Sequence, residues 1–129
     1  MPAIPMIAIV DDDFSVLESL VDLVTAMGFA ATAYQHPEEF LASDLRHVSC
    51  CLIADMQMPG MSGLELHGRL VDLGTPIPTI LITAFPNDRD RERASKAGIC
   101  GYLAEPVHAT DLLSAIDSIL KRPGAQEGE

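Results

Sequence analysis

Cys50-Cys51-Leu52-Ile53-Ala54-Asp55 is an apolar run that ends in a carboxylate. Apolar side chains at successive positions, with no alternation, predict a strand buried on both faces, as in a parallel sheet. Pro59-Gly60 marks residues 56–63 as a loop. Ser62-Gly63-Leu64-Glu65 then has the spacing of a capping box and opens a helix that closes at Gly74. The stretch is one βα unit with an acid at the carboxyl end of its strand.

The same unit recurs on either side. Residues 4–10 form a second, almost wholly apolar run, stopped by Asp11-Asp12-Asp13. Leu17, Leu20, Val21 and Val24 follow at helical spacing, with Ser15 and Glu18 as a capping box and Gly28 at the helix end. Residues 29–34 read as a strand and residues 37–41 as a short helix. Beyond Gly74, residues 78–83 give a fourth strand and residues 87–97 a polar helix closed by Gly98. Residues 99–104 give a fifth strand, and Leu112, Leu113, Ile116, Ile119 and Leu120 mark an amphipathic last helix. Five strands alternating with five helices predict an α/β fold, a doubly wound (βα)5 three-layer sandwich with right-handed crossovers. One domain is expected over residues 1–122, with a frayed tail over residues 123–129.

Composition narrows the function. With 48% hydrophobic residues in 129, the chain can build a real core and is not generally disordered. Four Phe, two Tyr and no Trp make that core aliphatic. A formal charge of -11 argues against binding nucleic acid through a broad basic face and favours cations, basic partners or plain solubility. Cys50, Cys51 and Cys100 have no metal spacing and read as small buried residues of a reduced protein. The N-terminus lacks the basic region of a signal peptide, and no segment approaches the roughly 20 apolar residues of a membrane span. A cytoplasmic protein without membrane contact is expected.

In open α/β sheets the site lies beyond the carboxyl ends of the strands, where strand order reverses. Those ends deliver Asp11, Asp12 and Asp13 from the first strand, Asp55 from the third, Thr83 from the fourth and Glu105-Pro106 from the fifth. Asp13 reads as a helix cap. Thr83 alone would be an ordinary strand residue; it gains meaning from the acids that one topology brings beside it. Several carboxylates in one pocket must take up protons or be neutralised by a cation. Hard oxygen donors suit Mg²⁺ (or Mn²⁺), and Mg²⁺ with open positions suits phosphoryl transfer.

Four blocks extend the pattern over residues 6–121: Ile9-Val10-Asp11-Asp12-Asp13, Asp55-Met56-Gln57-Met58-Pro59-Gly60-Met61-Ser62-Gly63, Leu81-Ile82-Thr83-Ala84 and Gly101-Tyr102-Leu103-Ala104-Glu105-Pro106. In order and spacing they resemble the receiver domains of bacterial response regulators. The resemblance implies a flavodoxin-like parallel sheet of order 2-1-3-4-5. It also implies an aspartyl phosphate on Asp55, with the phosphoryl group taken from a histidine kinase or phosphotransfer protein. Asp12, Asp55 and the backbone carbonyl of Gln57 would bind Mg²⁺ directly, and Asp11 through water. Thr83 would hydrogen-bond the phosphoryl group, and Tyr102 would be the aromatic that follows it; Ala84 is small enough to leave the site open. Such a domain is not an enzyme beyond self-phosphorylation and slow dephosphorylation.

By the same resemblance, a downstream partner or an absent output domain would read the face of helix 4, strand 5 and helix 5, and a homodimer is compatible. Arg89, Arg91, Arg93 and Lys96 cluster there, beside Phe85 as an anchor or a lid. Residues 58–66 look nearest to regulators with helix-turn-helix outputs, so the chain reads as a stand-alone receiver or as one cut from a transcription factor. No direct nucleic-acid contact is expected of this segment.

One residue departs from the family pattern: Glu105 stands where the family has Lys. Two unit charges about 4 Å apart interact by about 4 kcal/mol at an effective dielectric near 20, so reversing one sign matters. Two readings stay open. Glu105 turns to solvent and leaves a phosphorylatable but poorly switching domain, or the pocket is a cation site or an inert pseudo-receiver that serves protein docking. Glu105-Pro106 also falls at the family's cis X-Pro position. A small dehalogenase-like hydrolase would want a second acid two residues after its nucleophile, and Asp55-Met56-Gln57 lacks one.

Overall fold

β3 (Cys51–Asp55) and β4 (Thr79–Thr83) are buried at every position, as unalternating apolar runs require. In the computed structural model, which describes residues 4–121, they lie at the middle of a five-stranded parallel sheet. The tail expected to fray, residues 123–129, lies outside the described residues. The other strands are β1 (Met6–Val10), β2 (Ala30–Tyr34) and β5 (Gly101–Ala104), and the order is β2-β1-β3-β4-β5. The sheet is thus the 2-1-3-4-5 arrangement expected.

Side chains alternate across a strand, so each central strand feeds two cores. Ile7, Ile9, Ile53, Ile80 and Ile82 point to one face, where α1 (Phe14–Ala26) and α5 (Ala109–Leu120) cover them with Leu17, Leu20, Val24, Leu112, Ile116 and Ile119. Ala8, Val10, Leu52, Ala54 and Leu81 point to the other. There α2 (Pro37–Leu41), α3 (Gly63–Asp72) and α4 (Asp88–Lys96) supply Phe40, Leu66, Leu70 and Ala94.

Helix ends account for several departures from expectation. Three helices finish in a glycine of positive φ: Gly28, Gly74 and Gly98. After each, the next N–H bonds back into the helix, Phe29 to Val24, Thr75 to Leu70 and Ile99 to Ala94. Phe29 and Ile99 therefore belong to helix-terminal turns, and β2 and β5 begin one and two residues later than their apolar character suggested. At the start of α1 the capping box expected of Ser15 and Glu18 does not form. Asp13 is the cap, its Oδ1 accepting from Ser15 N at 2.9 Å and Val16 N at 3.3 Å. The capping box of α3 is present: Ser62 Oγ accepts from Glu65 N at 3.0 Å, and Glu65 Oε1 from Ser62 N at 2.8 Å.

One element has no counterpart in the sequence reading. Asp44–Val48 forms a 3-10 turn capped by Ser43. Arg46 holds it, donating Nε–H to Leu41 O at 3.0 Å and Nη1–H to Thr75 Oγ1 at 2.8 Å.

Candidate functional site at the carboxyl rim of the sheet

Parallel pairing puts the carboxyl ends of all five strands on one rim. Val10 pairs with Ala54, so Asp11 and Asp55 follow on neighbouring strands at the same level. Thr83 pairs with Ala104 one strand further on, directly before Glu105. Carboxylate oxygens of Asp11, Asp12 and Asp55 all lie within 4.8 Å of one another. The distant stretches that the sequence reading joined do meet.

The three acids are not equivalent. Asp11 is 1% exposed; its Oδ1 accepts from Asp13 N at 2.8 Å, while its Oδ2 is buried with no hydrogen-bond partner. Asp55 is 9% exposed, and its Oδ1 accepts from Gln57 N at 3.1 Å. Asp12 is open to solvent. Burial pushes the Asp11 carboxyl up to about 7; the Asp13 N–H opposes this, and the charges of Asp55, Glu105 and Asp12 add to it. Burial likewise raises Asp55 to about 6, against the Gln57 N–H and with help from Glu105 and Asp12.

A hard divalent cation fits this donor set. An orphaned, buried carboxylate oxygen costs free energy that a cation's water shell or the ion itself removes. Of the residues expected to hold it, the structure brings the carboxylates of Asp11, Asp12 and Asp55 together.

Glu105 is half-buried, and its carboxyl is raised by burial first and then by Asp13 and Asp12. Its charge therefore bears on the cluster rather than lying wholly in solvent. It also forms part of the wall of a groove with Val16, Leu20, Leu23, Pro106 and Val107. The Glu105–Pro106 peptide bond is cis.

Thr83 is fully buried, and its hydroxyl is occupied twice. Oγ1 donates to Gln57 Oε1 at 2.8 Å and accepts from Phe85 N at 3.0 Å. The sequence reading gave Gln57 only a backbone role; nothing in the local pattern signals where its amide ends. Tyr102 is half-buried, its hydroxyl accepting from Asn87 N at 3.3 Å and its ring lying 4.8 Å from the Arg91 guanidinium. Phe85 is 72% exposed. Of the other basic residues, Arg93 pairs with Asp90 at 3.3 Å and Lys96 with Glu92 at 3.1 Å, both along α4 itself. His67 was also missed: it is buried, with Nδ1 3.1 Å from Thr79 Oγ1 and Nε2 3.2 Å from Ala97 O, and it ties α3 to the end of α4.

Comparison with known proteins gives concordant matches. The response regulator receiver domain family matches residues 7–117. The response regulator protein TmoT of Ectopseudomonas mendocina is 39% identical over 117 residues, which are 90% of this chain and 53% of that protein. The transcriptional regulatory protein FixJ of Rhizobium meliloti is 37% identical over 123 residues, 94% of this chain and 59% of that one. The solved structure of the response regulator StyR superposes with a TM-score of 0.83 at 38% identity, covering 92% of this chain and 60% of that one. The chain spans about half the length of the curated relatives it matches.

Proposed function

Because the chain belongs to the response regulator receiver domain family, we propose that it accepts a phosphoryl group on Asp55 from a histidine kinase or phosphotransfer protein. One observation carries this: the carboxylates of Asp11, Asp12 and Asp55 converge within 4.8 Å beside the buried hydroxyl of Thr83. In the transfer, an Asp55 oxygen forms a bond to phosphorus as the bond from phosphorus to the donor's imidazole nitrogen breaks. The imidazole leaves with that electron pair. A bound Mg²⁺ would neutralise the acids and the incoming phosphoryl oxygens.

This chain's residues do the positioning. The Gln57 N–H orients the Asp55 carboxylate through Oδ1. Thr83 would give its hydroxyl proton to the phosphoryl group only on leaving Gln57 Oε1, and Tyr102 lines the surface next to α4. Receiver domains are signalling modules rather than metabolic enzymes, and Asp55 would lose its phosphoryl group only slowly to water. The signal would leave through the face of α4, β5 and α5, toward a downstream partner, a second copy or an output domain. Transcription is the output suggested by the name of the FixJ relative. Among the described residues no helix is long and apolar enough to cross a membrane, and three cysteines outside any disulfide suit a reducing cytoplasm. Residues 1–122 would make up the domain and 123–129 a tail.

Glu105 favours a second reading, a pseudo-receiver that docks partners without phosphorylation, because its carboxyl adds negative charge where a phosphoryl group would sit. Intact-mass measurement after incubation with Mg²⁺ and acetyl phosphate separates the two. A gain of one phosphoryl group, lost in Asp55→Asn, supports the acceptor; no gain in the parent chain leaves the pseudo-receiver.

A further inference from the structure

We infer that Gln57 is a latch on Thr83, holding the hydroxyl proton that a phosphoryl group on Asp55 would claim. The inference deepens the proposed function and rests on it for the phosphoryl-bound state. A threonine hydroxyl has a single proton to donate. Thr83 is fully buried and gives that proton to Gln57 Oε1 at 2.8 Å. It cannot serve a phosphoryl oxygen at the same time.

Gln57 is tied at both ends. Its N–H donates to Asp55 Oδ1 at 3.1 Å, so a single residue spans the acceptor and the switch hydroxyl. A group added to Asp55 therefore acts on the same residue that withholds the hydroxyl. Gln57 is exposed, so its amide exchanges Thr83 for water on release. The latch then weighs about one net hydrogen bond, enough to bias the switch without blocking it. Release also has a path outward. Thr83 Oγ1 accepts from Phe85 N at 3.0 Å, so turning the hydroxyl alters the bond that anchors the segment leading into α4. Gln57 is a positioning residue, acting through Thr83.

The test uses the full chain with Mg²⁺ and beryllofluoride, a phosphoryl mimic. Gln57→Met keeps the side-chain length without the acceptor, Gln57→Glu keeps an acceptor oxygen, and Gln57→Met is repeated with Thr83→Ala. Beryllofluoride affinity is read by NMR titration. The Thr83 side-chain rotamer is read in each ligand-free protein from scalar couplings. We expect Gln57→Met to bind beryllofluoride roughly 2- to 10-fold more tightly, the span of one net hydrogen bond. The gain should vanish in the Thr83→Ala background. Without ligand, the Thr83 rotamer should be single in the parent and Gln57→Glu, and averaged in Gln57→Met. Unchanged affinity, or an equal gain without the Thr83 hydroxyl, overturns the latch. If the parent binds no beryllofluoride, the phosphoryl-acceptor reading fails; the ligand-free rotamers then decide the latch, which falls if Thr83 stays locked in Gln57→Met.

Discussion

Asp11 and Asp55 leave adjacent parallel strands at the same level, and oxygens of their carboxyl groups lie within 4.8 Å of each other. Both are largely buried, so each makes ionisation of the other harder. The pair is stable as neutral acid and carboxylate, or as two carboxylates with a cation.

A pH dependence follows, with a definite sign. Asp11 at about 7 and Asp55 at about 6 hold protons in the folded chain that an unfolded Asp loses near about 3.9. The stability they contribute is fully present below pH ~4 and is lost as pH rises through 6 and 7. In chelator, the melting temperature should fall between pH 5 and pH 8. Asp11→Asn should flatten that fall and melt higher than the parent at pH 8. Adding Mg²⁺ at pH 8 should raise the parent's melting temperature; a value indifferent to Mg²⁺ would sink the cation site.

Glu105→Lys exchanges a half-buried negative charge beside the cluster for a positive one. The ammonium should compete with the cation and attract the phosphoryl group. We expect Mg²⁺ to bind about tenfold more weakly, corresponding to roughly 1.4 kcal/mol, and the phosphoryl group to persist longer on Asp55. Calorimetric Mg²⁺ titration and a dephosphorylation time course measure both. Unchanged Mg²⁺ binding and an unchanged dephosphorylation rate in the variant would show that Glu105 does not act on the site.

Gly63 is where α3 touches the acceptor strand. A Cβ there would lie 2.5 Å from Asp55 O and 2.8 Å from Leu81 Cδ2, so α3 must move to admit it. Gly63→Ala should destabilise by about 1–3 kcal/mol. Gly68, in the same helix, has nothing within 4 Å of its would-be Cβ. Gly68→Ala should stabilise by about 0.5–1 kcal/mol. Urea unfolding of the pair checks both signs at once.

Asp13 caps α1, and Ser15 does not. Asp13→Ala should cost about 1 kcal/mol, Asp13→Asn much less, and Ser15→Ala almost nothing. If Ser15→Ala proves the costly change in chemical denaturation, the helix begins differently from the structure described.

Much of the site was legible because it depends on strand ends. The apolar runs before Asp11 and Asp55 stop at the carboxylates, and a doubly wound sheet sends every such end to one rim. Pro59-Gly60 and Ser62…Glu65 placed the acceptor loop and the start of α3 for equally local reasons. Phe29 and Ile99 misled because an apolar residue after a helix-ending glycine looks like strand, while its N–H is already spent on the preceding helix. The turn Asp44–Val48 carried no periodic signal, since Arg46 holds it by reaching across 29 residues to Thr75.

By itself, then, the sequence determined the order of elements, their parallel pairing and the rim on which the acids gather. Those follow from repeating patterns a few residues long. Tertiary structure alone decided that Gln57 reaches Thr83, that Asp11 Oδ2 is orphaned, that Glu105 still bears on the cluster and that His67 joins α3 to α4. Each depends on side-chain rotamers and on the approach of segments far apart in the chain, which no local pattern records.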